Sequence, residues 1–100
     1  MKIPTKVFAF GRTYSVIRDN EITRTMECWG YLDSHKDVLA MRKRDENFTA
    51  GHERQVFAHE VFHIIDNNLH IGLSEEQIHA LAIGFITIIE DNKLDFTSES

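Results

Sequence analysis

The chain has 100 residues, of which 42% are hydrophobic and 27% charged, and it carries a formal net charge of −5. This length and composition predict one globular domain with one core, which leaves no room for a separate substrate-binding domain. The negative charge argues against a general nucleic-acid binder, and we interpret the basic run Arg42-Lys43-Arg44 as a solvated strand end. Because no segment has the unbroken apolar length of a transmembrane helix, we expect no membrane partner.

The N-terminus and the cysteine content bear on the compartment and on metal chemistry. Residues 1–10 lack the long apolar stretch and the small-residue cleavage site of a secretory signal, which predicts a cytoplasmic protein. Cys28 is the single cysteine, so it has no partner for an internal disulfide and makes no thiolate cluster on its own. A bound metal would therefore need histidine, aspartate or glutamate ligands.

The first half of the chain has the pattern of a small antiparallel sheet of three to four strands. Residues 5–18 alternate in period 2 on either side of Gly11, which predicts a hairpin with its turn at that glycine. Asp19-Asn20 reads as the next loop. Residues 25–32 and 37–42 read as a second strand pair around the polar turn at residues 33–36.

The second half of the chain has the pattern of two helices. Thr49 is a candidate N-cap for a helix over residues 50–67, whose apolar side chains lie nearly all round and predict a central, buried position. Ser74 and Gln77 have the S-x-x-Q form of a capping box in front of a second helix that ends near Asn92. The apolar stripe of that helix consists of Ile78, Leu81, Ala82, Phe85, Ile86 and Ile89. We therefore predict a single α+β domain over residues 1–94 and a frayed tail over residues 95–100.

The first predicted helix contains His59-Glu60-Val61-Phe62-His63, an H-E-x-x-H motif. Residues four apart lie one turn above each other, so the two imidazoles can converge on one zinc ion, at about 2.0–2.1 Å each. Glu60 lies about 100° round the helix, which suits a base that reaches a metal-bound water better than a third ligand. A buried pair of histidines also costs on the order of a few kcal/mol unless it is bonded, which favours a ligand role over core filling.

Two histidines do not complete a stable zinc site, so a third ligand is expected from elsewhere in the chain. Helix geometry favours Glu75, which lies about 60° from the centre of the second helix's apolar stripe. Glu76 lies about 160° away and points to solvent. His79, about 100° from Glu75 at the margin of the stripe, is the alternative ligand or an oxyanion partner.

Two further polar residues follow the motif. Asp66 lies about one turn after His63, where a carboxylate commonly orients a metal-bound imidazole by a hydrogen bond to its far side, although a solvated helix end explains it equally well. His70 is a weaker ligand candidate. The metzincin pattern would need a glycine and a third histidine at the positions of Asp66 and Leu69, which disfavours that subclass.

With this motif followed by the acidic start of a second helix at Glu75, the chain resembles the short H-E-x-x-H proteins carried by bacteriophages. It is also similar, more distantly, to the metallopeptidase domain of the family that cleaves phage and stress repressors, whose zincin core includes a Glu on the helix after the motif. The resemblance implies a minimal zincin-like fold, zinc on His59, His63 and Glu75, and Glu60 as the base. Ile64 stands where such domains usually have a small residue.

The sequence therefore predicts a zinc-dependent hydrolase that cuts a peptide bond, in which Glu60 takes a proton from the attacking water and returns it to the leaving amine. Zincins usually stabilise the oxyanion with an additional side chain, for which Tyr31 and His79 are the candidates. The alternative is a non-catalytic protein in which zinc staples two helices and the surface binds or inhibits a host protein. In either case the partner is a protein or a peptide, and for a phage-encoded chain the compartment is the cytoplasm of the bacterial host.

Overall fold

The computed structural model describes residues 2–94, which form a four-stranded sheet and three helices. The strands are β1 (Lys6–Ala9), β2 (Arg12–Arg18), β3 (Gly30–Asp33) and β4 (Val38–Met41), and the helices are α1 (Asn20–Thr25), α2 (Ala50–Leu69) and α3 (Glu75–Asp91). The predicted α+β class, with two packed helices after a small sheet, is confirmed. None of the helices formed by residues 2–94 is long and apolar enough to cross a membrane. The predicted frayed tail lies outside the described residues.

The sheet is mixed, so the prediction of an all-antiparallel sheet was wrong. Its order is β1-β2-β4-β3, in which β1–β2 and β3–β4 are antiparallel pairs while β2 and β4 run parallel, with Ser15 opposite Val38. The cause is the connection after β2: it places β3 at the far edge, and β4 then returns between β2 and β3 in the direction of β2. As a result, β3 is an edge strand.

The connection after β2 contains a short helix where a loop was predicted. The carboxylate of Asp19 caps α1 by accepting a hydrogen bond from the Ile22 amide at 3.0 Å. The hydroxyl of Thr23, a fully buried residue, donates to the carbonyl oxygen of Asp19 at 2.8 Å. The loop prediction was wrong because Asp19 acts as an N-cap rather than as a turn residue.

The two long helices begin where their capping residues predict. Thr49 caps α2, and its hydroxyl accepts from the His52 amide at 3.3 Å. Ser74 caps α3 within the predicted capping box, in which Ser74 Oγ accepts from the Gln77 amide and Gln77 Oε1 accepts from the Ser74 amide. α2 extends to Leu69, two residues beyond the predicted end, and stops at His70, which has the left-handed φ of 53°.

The core lies on both sides of α2. Against the sheet it consists of Tyr14, Leu39, Met41, Phe57 and Ile64, and against α3 it consists of Ala58, Ala82, Ile86 and Ile89. The predicted apolar stripe of α3 is wider than the surface that α2 covers, so Leu81 remains 45% exposed and Phe85 40% exposed. The ring of Phe85 still packs edge-to-face on Phe62 at a centroid distance of 5.8 Å.

Gly30 brings the edge strand directly against α2. A Cβ atom at this position would lie 2.7 Å from Val56 Cγ1, closer than real Cβ contacts, and 3.0 Å from the carbonyl oxygen of Ala40, which is tighter than most of them. Only glycine therefore allows β3 to approach α2 this closely. The approach sets β3 beside the face of α2 that carries the motif.

Candidate metal centre

The two motif histidines lie on one face of α2, one turn apart. Their ring centroids are 4.9 Å apart and their Nε2 atoms 3.2 Å apart. The side chains of His59 and His63 are 21% and 22% exposed, so both rings are partly desolvated but still open to a cleft. Helical spacing alone produces this convergence, because residues at i and i+4 lie above each other.

Glu75, the first residue of α3, brings its carboxylate to both histidines. Its Oε2 lies 3.0 Å from His59 Nε2 and its Oε1 lies 2.9 Å from His63 Nε2. The antiparallel packing of α3 on α2 thus places the acidic start of one helix over the motif of the other. Of the two adjacent glutamates, the structure brings to the histidines the one that helix geometry favours.

These three side chains form a donor set with the size of a zinc site. Four ligands at about 2.0–2.1 Å from a tetrahedral zinc ion lie about 3.3–3.4 Å from one another. The nitrogen–nitrogen and nitrogen–oxygen distances here are 2.9–3.2 Å, so an outward shift of a few tenths of an ångström would admit the ion. Two imidazoles and one carboxylate are the ligands of a common class of catalytic zinc site, which keeps its fourth position for water.

The surroundings of His59 favour its neutral imidazole form. The pKa of His59 is lowered, first by burial and then by the neighbouring charge of His63, while Glu75 acts in the opposite direction. A neutral ring has a free nitrogen lone pair, and that lone pair is what binds a metal. The structure therefore holds at least His59 in the form that a ligand requires.

Glu60 is the one acidic residue of the site that is buried, being only 5% exposed. Ligand atoms of His59, Glu60 and His63 lie within 4.8 Å of one another, so the carboxyl group of Glu60 is itself close enough to be considered as a ligand. Glu75 is the better assignment, because it already contacts both ring nitrogens at hydrogen-bond distance. Burial, with a further contribution from the charge of Glu75, raises the pKa of Glu60 to about 8.

The burial of Glu60 predicts that the metal-free protein loses stability as the pH rises. Between its ordinary pKa of 4.5 and its folded pKa of about 8, the native state holds a proton that the unfolded state has released, so the free energy of unfolding falls. We expect a fall on the order of 3 kcal/mol from pH 5 to pH 8 that Glu60→Gln removes. Urea denaturation of both proteins in a chelator measures it, and equal falls in the two would contradict the prediction.

His79 and Tyr31, the predicted oxyanion partners, line the same cleft from opposite sides. The ring of His79 is 6.1 Å from that of His59, centroid to centroid, and it makes no hydrogen bond to the donor set within residues 2–94. Tyr31 lies on β3, and burial raises the pKa of its phenol, which keeps this group a hydrogen-bond donor at neutral pH.

Asp66 is placed by the structure at the loop between α2 and α3. Its Oδ1 accepts hydrogen bonds from the amides of Gly72 and Leu73, each at 2.9 Å. Among the described residues it has no hydrogen bond or ion pair with His59 or His63. The carboxylate thus bonds to the loop that leads to Glu75.

A cleft of about 510 Å³ runs along α2 between β3 and α3, with the donor set in its wall. Its lining includes the apolar residues Met26, Trp29, Val56 and Ile83, together with the polar residues His52 and Gln55. Met26, Trp29 and Ile83 are 54%, 37% and 36% exposed. The cleft therefore offers a metal-binding wall and, beside it, a surface for an apolar group.

Two residues of this cleft, His52 and Trp29, were not predicted from the sequence to belong to a site. His52 lines the cleft, and its ring lies 4.9 Å from that of Trp29. Its position seven residues before His59, two turns along the same helix face, was the available signal. Trp29 had no such signal, because it reaches the cleft only through the placement of β3 on α2.

Comparison of the chain with models of protein families, with curated proteins and with solved structures found no match.

Proposed function

We propose that this protein is a zinc-dependent metallopeptidase, with zinc held by His59, His63 and Glu75 and with Glu60 as the general base. The observation that carries the proposal is the convergence of four donor atoms from two helices in the wall of a cleft: two ring nitrogens 3.2 Å apart, each 2.9–3.0 Å from a different oxygen of Glu75. Such a convergence has no packing role, since half-buried rings and an exposed carboxylate contribute little apolar burial. Its chemistry suits a divalent cation.

The motif and the buried carboxyl group suit hydrolysis. When bound, a zinc ion supplies a Lewis acid that polarises a peptide carbonyl and lowers the pKa of a water molecule to about 7. The positive charge of a bound zinc ion would lower the pKa of the nearby Glu60 carboxyl group and favour its ionised form, which would accept one proton as the water oxygen bonds to the carbonyl carbon. Glu60 would then return that proton to the nitrogen as the carbon–nitrogen bond breaks, so that the products are a carboxylic acid and an amine.

The edge strand supports a peptide as the substrate. Within the described chain, β3 has β4 as its strand neighbour on one side, and its residues Gly30, Tyr31 and Leu32 line the cleft. An exposed strand edge binds an extended peptide through main-chain hydrogen bonds. The apolar lining residue Val56 lies about one helical turn before His59, which favours a large apolar side chain next to the bond that is cut.

A second candidate is a zinc-stapled protein that binds or inhibits a protein of the host. The outer flank of α3 favours it, because Leu81 and Ile88 are 45% and 58% exposed on a helix whose other face packs on α2. Exposed apolar patches of this kind mark interaction sites. In both cases we place the protein in the cytoplasm, which for a phage-encoded chain is that of the bacterial host.

Metal content and peptide cleavage test the proposal together. Protein purified without a metal-affinity tag should contain close to one zinc per chain by elemental mass spectrometry, and it should cleave a mixed peptide library beside large apolar residues. A chelator should stop the cleavage and added zinc should restore it. Protein that takes up no zinc would overturn both candidates, whereas zinc uptake without cleavage would leave the binding protein.

A further inference from the structure

Three successive amides in front of Glu75 are each held by a side chain. The amides of Gly72 and Leu73 donate to Asp66 Oδ1, each at 2.9 Å, and the amide of Ser74 donates to Gln77 Oε1 at 2.9 Å. Gln77 belongs to α3 itself, so its bond fixes only the start of that helix. Asp66 belongs to α2, and its two bonds fix the start of α3 relative to the helix that carries the histidines.

The backbone of the same loop is turned sharply around Asp66. His70 and Gly72 have φ angles of 53° and 83°, in the left-handed region. The carbonyl oxygen of Asp66 accepts from the amides of His70 and, at 3.4 Å, Ile71. Both the main chain and the side chain of this one residue therefore organise the turn from α2 to α3.

Glu75 depends on that turn for its position. Its side chain is 72% exposed, and its contacts within residues 2–94 are with His59 and His63, the groups that it would join in holding a metal. Because most of the side chain is exposed, packing within the described part of the chain restrains the carboxylate little. The place of its backbone at the start of α3 decides whether both oxygens reach both rings.

We propose that Asp66 is a positioning residue that sets Glu75 for metal binding by clamping the loop of residues 70–73. The inference rests on the zinc site of the proposed function, but it requires metal binding only and no turnover. This role differs from that of a carboxylate that orients a metal-bound imidazole, because Asp66 bonds to the loop amides and not to His59 or His63 in the described structure. Its effect reaches the metal through Glu75 alone.

Zinc affinity in a mutant cycle tests this dependence. Affinities of the untagged chain, Asp66→Ala, Glu75→Ala and the double variant are measured at one pH by competition with a chromophoric zinc chelator. Asp66→Ala should weaken zinc binding about 10- to 100-fold in the parent, the range found when support of a ligand is lost. In the Glu75→Ala background the same substitution should change the affinity less than about twofold, because the ligand that it positions is already absent.

Two further variants separate positioning from charge and from folding. Asp66→Asn keeps an acceptor oxygen for the loop amides and should retain zinc affinity within a few-fold. If Asp66 acted through its negative charge instead, Asp66→Asn would weaken zinc binding as much as Asp66→Ala does. Gly72→Ala strains the loop at its φ of 83° while leaving Asp66 intact, so it should also weaken binding only when Glu75 is present. It replaces Asp66→Ala in the cycle if that variant does not fold.

Zinc affinities distinguish failure of the zinc site from failure of the positioning role of Asp66. A parent chain that binds no zinc would overturn the zinc site itself. If the parent binds zinc and Asp66→Ala binds it equally well, the positioning role would be overturned while the zinc site stands. The same holds if Asp66→Ala weakens zinc binding by the same factor in the Glu75→Ala background as in the parent.

Discussion

Replacing Glu60 by glutamine should abolish peptide cleavage while leaving zinc bound. The substitution keeps the size of the side chain but removes the oxygen that accepts a proton, and general acid–base groups contribute about 10²–10⁴-fold to a rate. We expect kcat/KM to fall by about that factor, with zinc content unchanged because His59, His63 and Glu75 supply the ligands. The measurement is the cleavage rate of one library-derived peptide at neutral pH, together with zinc content by mass spectrometry.

Glu76→Gln is the matched control for this experiment. Glu76 is exposed and adjacent to Glu75 at the start of α3, so the same chemical change there alters the charge near the site but leaves the proposed base intact. It should retain parental activity. If Glu60→Gln cleaved at the parental rate, hydrolysis would run without this base; if it lost zinc, Glu60 would be a ligand rather than the base.

The helical half of the molecule was predictable because its signals are local. The capping bonds of Thr49, Ser74 and Gln77 each join a side chain to an amide three residues away, so a short stretch of sequence contains the whole capping interaction. The motif on α2 and the face of α3 that carries Glu75 follow from a single helical period. For that reason the site residues could be named before any tertiary contact was known.

The sheet was less predictable because its order depends on distant residues. Ser15 pairs with Val38, 23 positions away, and nothing in either strand specifies a parallel neighbour. The capping signal of Asp19 was present, but α1 has six residues, too short for a periodic pattern to distinguish it from a turn. The position of β3 at the edge follows from these two features.

The environment of Glu60 and the far end of the cleft were not predictable for a similar reason. Both depend on how closely β3 lies against α2, which the absence of a side chain at Gly30 permits. The motif specifies that a carboxyl group stands near the histidines, but its burial, and hence its raised pKa, comes from the packing around α2. Trp29 reaches the cleft through the same close approach.

Replacing Glu75 by alanine should weaken zinc binding by at least about 100-fold, because loss of a ligand exceeds the loss of a group that only supports one. Glu76→Ala should leave the affinity within about twofold. The two substitutions remove the same charge from neighbouring exposed positions, so a general effect of charge on a cation would appear in both. Competition with a chromophoric chelator, at the same pH for both variants, measures the difference.

The same titration on His79→Ala decides between the two ligands that helix geometry allows. With Glu75 at 2.9 and 3.0 Å from the ring nitrogens and the ring of His79 centred 6.1 Å from that of His59, His79→Ala should keep the affinity of the parent. If Glu75→Ala kept its zinc affinity and His79→Ala lost it, the third ligand would be His79, one turn further along α3. The start of α3 would then have to rotate toward α2 when zinc binds, and the two bonds from Asp66 to the loop would be incompatible with that metal-bound arrangement.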